Sequence, residues 1–76
     1  ITRQEVAAVL SRILAKKGYL QTDNSPKGIN VAAWAEDSVA LYLREVQTKE
    51  LVNLDMSENA TRAEIMVMIL EFLINP

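Results

Sequence analysis

Seventy-six residues with two glycines, two prolines and no cysteine make one small domain at most, which excludes a multidomain enzyme, since domains run from about 50 to 250 residues. Eight Lys and Arg against ten Asp and Glu give a net charge of −2, with both signs scattered along the chain, and this disfavours nucleic acid as a partner because phosphate binding needs a concentrated basic face. With neither histidine nor cysteine, the commonest general base, the thiol nucleophile and the usual zinc ligands are all missing, so no catalytic residue, cofactor or metal is expected.

Half of the residues are apolar but only four are aromatic, Tyr19, Trp34, Tyr42 and Phe72, a mixture that suits an aliphatic helical core. Opening on Ile1 rather than Met, the sequence reads as a segment of something longer, with any targeting sequence outside it. Thr2-Arg3-Gln4-Glu5 has the spacing of a capping box, and Val6, Val9, Leu10, Ile13 and Leu14 follow as one helical stripe up to Lys16-Lys17-Gly18, a cationic last turn with a left-handed stop. The first helix is therefore predicted over residues 3–17. From Tyr19 to Asn30 the periodicity vanishes into loop composition around Asp23, Ser25, Pro26 and Gly28.

A second helix is predicted over 31–47, with Asn30 as its N-cap and Ala35, Val39, Tyr42, Leu43 and Val46 as its stripe. Leu51-Val52-Asn53-Leu54 is short and apolar, and Asp55 to Asn59 is a polar connection. Ala60-Thr61-Arg62-Ala63-Glu64 again sets a Thr three residues before a Glu. The third helix, over 61–74, carries an unbroken apolar run from Ile65 to Leu70 and resumes with Phe72, Leu73 and Ile74; a helix greasy around most of its girth has to be surrounded. The alternation of Ile65, Val67 and Ile69 would also suit a buried strand, but the capping box and the Met and Leu content point to helix. The run falls far short of the roughly 20 residues that span a bilayer, so no membrane span is expected.

Superposing Thr2 on Thr61 aligns Thr-Arg-x-Glu with itself and sets Val6, Val9, Leu10, Ile13 and Leu14 on Ile65, Met68, Ile69, Phe72 and Leu73. Such a period, with one capping motif per unit, divides the chain into the end of one repeat (1–18) and a loop plus a complete second repeat (19–76). Ile1-Thr2-Arg3-Gln4-Glu5 and Ala60-Thr61-Arg62-Ala63-Glu64 resemble the Ile-Thr-Arg-Ala-Glu signature of the S-layer homology module. Asp23, Ile29, Trp34-Ala35 and Ser38-Val39 are similar to that module's acidic loop residue and Trp-Ala helix. The resemblance implies an all-α bundle of such repeats, part of a pseudo-threefold arrangement. It further implies a non-catalytic, extracellular module of the bacterial cell wall or S-layer, which binds an acidic, sometimes pyruvylated, secondary cell-wall polymer or peptidoglycan-linked glycan. The chain departs from the family between Leu54 and Asn59, which hold neither the glycines nor the aromatics of the usual loop, and in a second helix about one turn longer.

The chemistry has a basis of its own. A helix start presents free N–H groups and partial positive charge, and Arg62 behind the Thr61 cap adds a cation, so a carboxylate can dock there. Arg3 repeats the arrangement in the first unit, Glu64 is expected to fix the cap and hold Arg62, and Trp34 is either a face for a sugar ring or part of the core. Candidate ligand-binding residues are thus Arg3, Trp34, Thr61, Arg62 and Glu64.

Two sharper motifs fail. Asp23 to Gly28 opens like a calcium loop, but Lys27 takes a ligand position and Trp34 stands where the bidentate Glu belongs. Asp37-Ser38-Val39 looks like the attachment site of acyl carrier proteins, but Ser38 falls inside the second helix. The alternative to glycan binding is a structural or oligomerisation module without a ligand; on either reading neighbouring repeats or a second copy should cover the third helix, and an isolated copy should oligomerise because Met66, Val67, Leu70 and Ile74 lie off its main stripe.

Overall fold

Thr2 begins the first helix as its spacing requires: its hydroxyl accepts from the Glu5 N–H at 3.2 Å, and the Glu5 carboxylate accepts in return from the Thr2 N–H at 2.7 Å, closing a capping box. The computed structural model describes residues 1–19, 28–46 and 53–74. Among them the chain is all-α, with α1 over Arg3–Lys16, a 3-10 turn over Ala33–Ala35, α2 over Glu36–Val46 and α3 over Arg62–Ile74. Two isolated bridges, Thr2 with Asn59 and Ile29 with Asp55, are the only sheet-like pairings there.

Four expectations about the ends change, the smallest being that α3 begins at Arg62 and leaves Thr61 as its cap. Lys17 is the C-cap rather than the last residue of α1, and Gly18 beyond it takes the left-handed φ of 97° that stops a helix without steric cost. Residues 31 and 32 are not helical; the chain makes the 3-10 turn first and enters α2 only at Glu36. Asn30 is not the N-cap of that helix: it adopts a φ of 54°, and its side-chain amide donates to Asp55 Oδ2 at 2.8 Å. Asn tolerates this region better than most residues, and the turn lets Ile29 offer its carbonyl to the Met56 N–H at 2.8 Å. Leu51 and Val52, and the loop residues Asp23 to Lys27, lie outside the described residues.

The core is one aliphatic cluster from all three helices: Val6, Ala7, Leu10 and Leu14 of α1, Val39, Tyr42, Leu43 and Val46 of α2, Met56, and Met68 and Phe72 of α3. The α2 stripe is buried as its periodicity predicts. The α1 stripe is buried only in part: Val6, Leu10 and Leu14 are inside, but Val9 and Ile13 are exposed, while Gln4, Ala7, Ala8 and Ser11 are buried. Small residues let α2 approach α1 closely, so the buried face is rotated away from the one with the bulkiest side chains.

On α3 only Met68 and Phe72 are buried. Met66, Val67, Ile69, Leu70, Leu73 and Ile74 are between 41% and 77% exposed, so this helix is not surrounded within the chain.

A short strip ties the start of α1 to the segment that precedes α3. The Arg3 and Gln4 N–H groups at the start of α1 donate to the Glu58 and Met56 carbonyls, each at 3.0 Å, and Ala60 N–H donates to the Ile1 carbonyl at 2.9 Å. Segment 55–60 thus lies across the head of α1 and delivers the chain into α3. No helix of the described residues is long and apolar enough to cross a membrane.

Candidate functional site

The second signature copy folds as the first does. Thr61 accepts from the Glu64 N–H at 3.1 Å, and Glu64 Oε1 accepts from the Thr61 N–H at 2.8 Å. Glu64 then reaches beyond its own helix. Its Oε2 accepts from Arg3 Nε at 2.9 Å and lies 2.8 Å from Arg3 Nη2, while Arg3 Nη1 donates to the Asp55 carbonyl at 2.8 Å. Glu64 therefore holds Arg3, where the sequence suggested Arg62. A fork-shaped guanidinium is needed for this arrangement, since one side chain bridges a carboxylate and a carbonyl on separate elements.

These bonds set the electrostatics of the junction. Glu64 is held below its ordinary carboxylate range, first by the Thr61 N–H and next by Arg3. Asp55 is lowered chiefly by the Ser57 hydroxyl and then by the Asn30 amide, and Glu5 by its Thr2 cap. All three therefore stay ionised at neutral pH.

The two helix starts differ in what covers them. At α1 the strip 55–60 consumes the first free N–H groups, so an external anion finds none. At α3, among the described residues, nothing accepts from the Arg62 or Ala63 N–H groups and the Arg62 side chain is exposed without a partner. Of the five candidates the structure brings together Arg3, Thr61 and Glu64; Arg62 stands just beyond them in solvent, and Trp34 lies elsewhere.

Trp34 sits in the middle of the 3-10 turn, and it is 61% exposed while its neighbour Ala35 is fully buried. The turn is fixed to α1 by Gln4, whose buried side-chain oxygen accepts from the Ala32 N–H at 2.8 Å. That bond aims Trp34 along the outside of α1, where it lines a groove of about 240 Å³ with Ile1, Glu5, Ala8, Val9 and Arg12. Trp34 is thus a surface residue and not part of the core. Sequence reasoning missed Arg12 and Gln4. Neither carries a local signal, because Arg12 gains its neighbour only when the turn folds back and Gln4 reads as one more polar residue in a capping motif.

Among the described residues no group of three or more acidic side chains could hold a metal ion. No family model matches the chain, and no curated protein or solved structure matches it.

Proposed function

We propose that the chain is a non-catalytic module of S-layer homology type that anchors an exported bacterial protein by binding an acidic cell-wall polymer. The observation that carries this reading is Trp34: a large aromatic ring left open to solvent, on a 3-10 turn, in a groove that Arg12 and Glu5 also line. An exposed indole next to a cation and an acceptor suits a sugar ring that bears hydroxyls and an acid group. Arg62 at the open start of α3 supplies a second anion-seeking pole, with charge and free N–H groups on one helix end. In this reading Arg3, Thr61 and Glu64 form the frame that holds the two signature copies in register, and Trp34, Arg12 and Arg62 meet the ligand.

The test is binding of purified acidic wall polymer by calorimetry. Arg62→Ala should weaken it by about 1.5–3 kcal/mol, the value of a charge-assisted bond, with the helical circular dichroism unchanged. Equal binding by parent and variant would remove Arg62 from the site.

The second reading, a structural or oligomerisation module without a glycan, is favoured by the exposed apolar face of α3, because contiguous patches of this kind mark interaction sites.

A further inference from the structure

We infer that the exposed face of α3 is a docking surface for a second copy of this chain, which meets it head to tail through the outer face of α1, with Arg62 of one copy paired to Glu5 of the next. The argument rests on the two signature helices being used on opposite faces. Superposed through Thr2 and Thr61, the positions that α1 buries, Ala7, Leu10, Ser11 and Leu14, fall on Met66, Ile69, Leu70 and Leu73, which α3 exposes. The positions that α3 buries, Met68 and Phe72, fall on Val9 and Ile13, which α1 exposes.

Within the chain α1 packs more extensively against α2 than against α3, all three in one core cluster to which α3 brings Met68 and Phe72. Each helix therefore leaves free the face that its counterpart uses. A second copy whose α1 lies against α3 of the first restores the same pairing, with α3 now in the place of α1.

The polar groups obey the same rule. The internal junction is the Arg3 guanidinium on Glu64 Oε2. The equivalents left over are Arg62, exposed and without a partner among the described residues, and Glu5, exposed, whose Oε1 makes the cap. Glu5 Oε2 has no described partner, and it is the oxygen that corresponds to the one Arg3 takes on Glu64. Apolar faces and charges thus match in the same orientation, the arginine at one helix start meeting a carboxylate at the other.

A heterologous contact of this kind grows into rings or open chains. It also competes with an acidic polymer for Arg62 and for the groove that Glu5 and Val9 share with Trp34.

The test uses two variants of the whole 76-residue chain in sedimentation equilibrium at high concentration, without polymer. Leu70→Glu spoils the α3 face and Val9→Glu spoils the α1 face; both sites are more than half exposed, so each variant keeps its helical circular dichroism. The parent should self-associate, each variant alone should be a monomer, and their mixture should form a one-to-one dimer that does not grow. Arg62→Glu should abolish association of the parent, and Arg62→Lys should retain part of it. A monomeric parent, self-association of Val9→Glu alone, or a mixture that stays monomeric would each overturn the inference. Because no polymer is present, these failures leave the anchoring reading standing, and loss of polymer binding leaves this one standing.

Discussion

Arg3 Nη2 lies 2.8 Å from Glu64 Oε2, an ion pair between residues 61 positions apart that ties the cap of one signature copy to the cap of the other. The same arginine in the second copy, Arg62, is open to solvent. One motif therefore has two roles, set by what the rest of the chain lays against it.

This asymmetry is measurable in stability. Arg3→Ala strands the Glu64 carboxylate and the Asp55 carbonyl in a half-buried junction and should cost about 2–3 kcal/mol, since losing one partner of a charged hydrogen-bonded group is dearer than the net worth of the pair. Arg62→Ala should stay within about 0.5 kcal/mol of the parent, as for other surface changes. Urea unfolding of the two variants at dilute concentration provides the comparison, and equal losses would show that the junction does not hold α1 and α3 together.

Acid should loosen the same junction. Glu64 and Asp55 titrate below their ordinary values of 4.5 and 3.8, so the unfolded chain takes up protons before the folded one does. The stabilisation is fully present above the unfolded values and drains away as the pH falls through the lowered folded ones. Thermal unfolding should be nearly flat between neutral pH and about pH 5 and then drop steeply below about pH 4. In Arg3→Ala that acid drop should shrink, because Arg3 is one cause of the depression at both carboxyls.

Tyr42 joins α2 to α3. Its buried hydroxyl donates to the Met68 carbonyl at 3.1 Å, and burial first, with the Glu71 carboxylate second, pushes its ionisation above the usual tyrosine range. Tyr42→Phe should lower stability by about 0.5–1.5 kcal/mol, the net value of one neutral hydrogen bond, without altering the helical signal. An unchanged midpoint in urea would mean that the Met68 carbonyl is satisfied by its own helix.

The helices were legible in the sequence because caps and periodicity are local. Thr2 with Glu5, Thr61 with Glu64, and Gly18 at the end of α1 do what their residue types favour. Which face each helix buries was not legible. Val9 and Ile13 belong to the stripe by hydrophobicity, yet Ala7, Ala8 and Ser11 take the interior, because closeness of approach to α2 outweighs side-chain size. Asn30 looked like a helix cap for the reason that it became a left-handed turn: a short polar side chain serves either purpose, and the partner that decides it, Asp55, lies 25 residues away. Of the candidate site, the signature residues were visible as a pattern. The locking of Arg3 and the groove that Trp34 shares with Arg12 depend on chain folding between distant segments, which no window of sequence contains.

Trp34 is the chain's only tryptophan, so its emission reports directly on the groove proposed to bind the polymer. At a concentration where sedimentation shows monomer, titration with purified pyruvylated wall polymer should shift that emission to the blue along a saturable curve, as the ring leaves water for a sugar face. Arg12→Ala should weaken the apparent affinity about tenfold, the equivalent of roughly 1.4 kcal/mol. Emission that stays unchanged up to polymer concentrations that saturate an authentic wall-binding module would contradict glycan binding at Trp34.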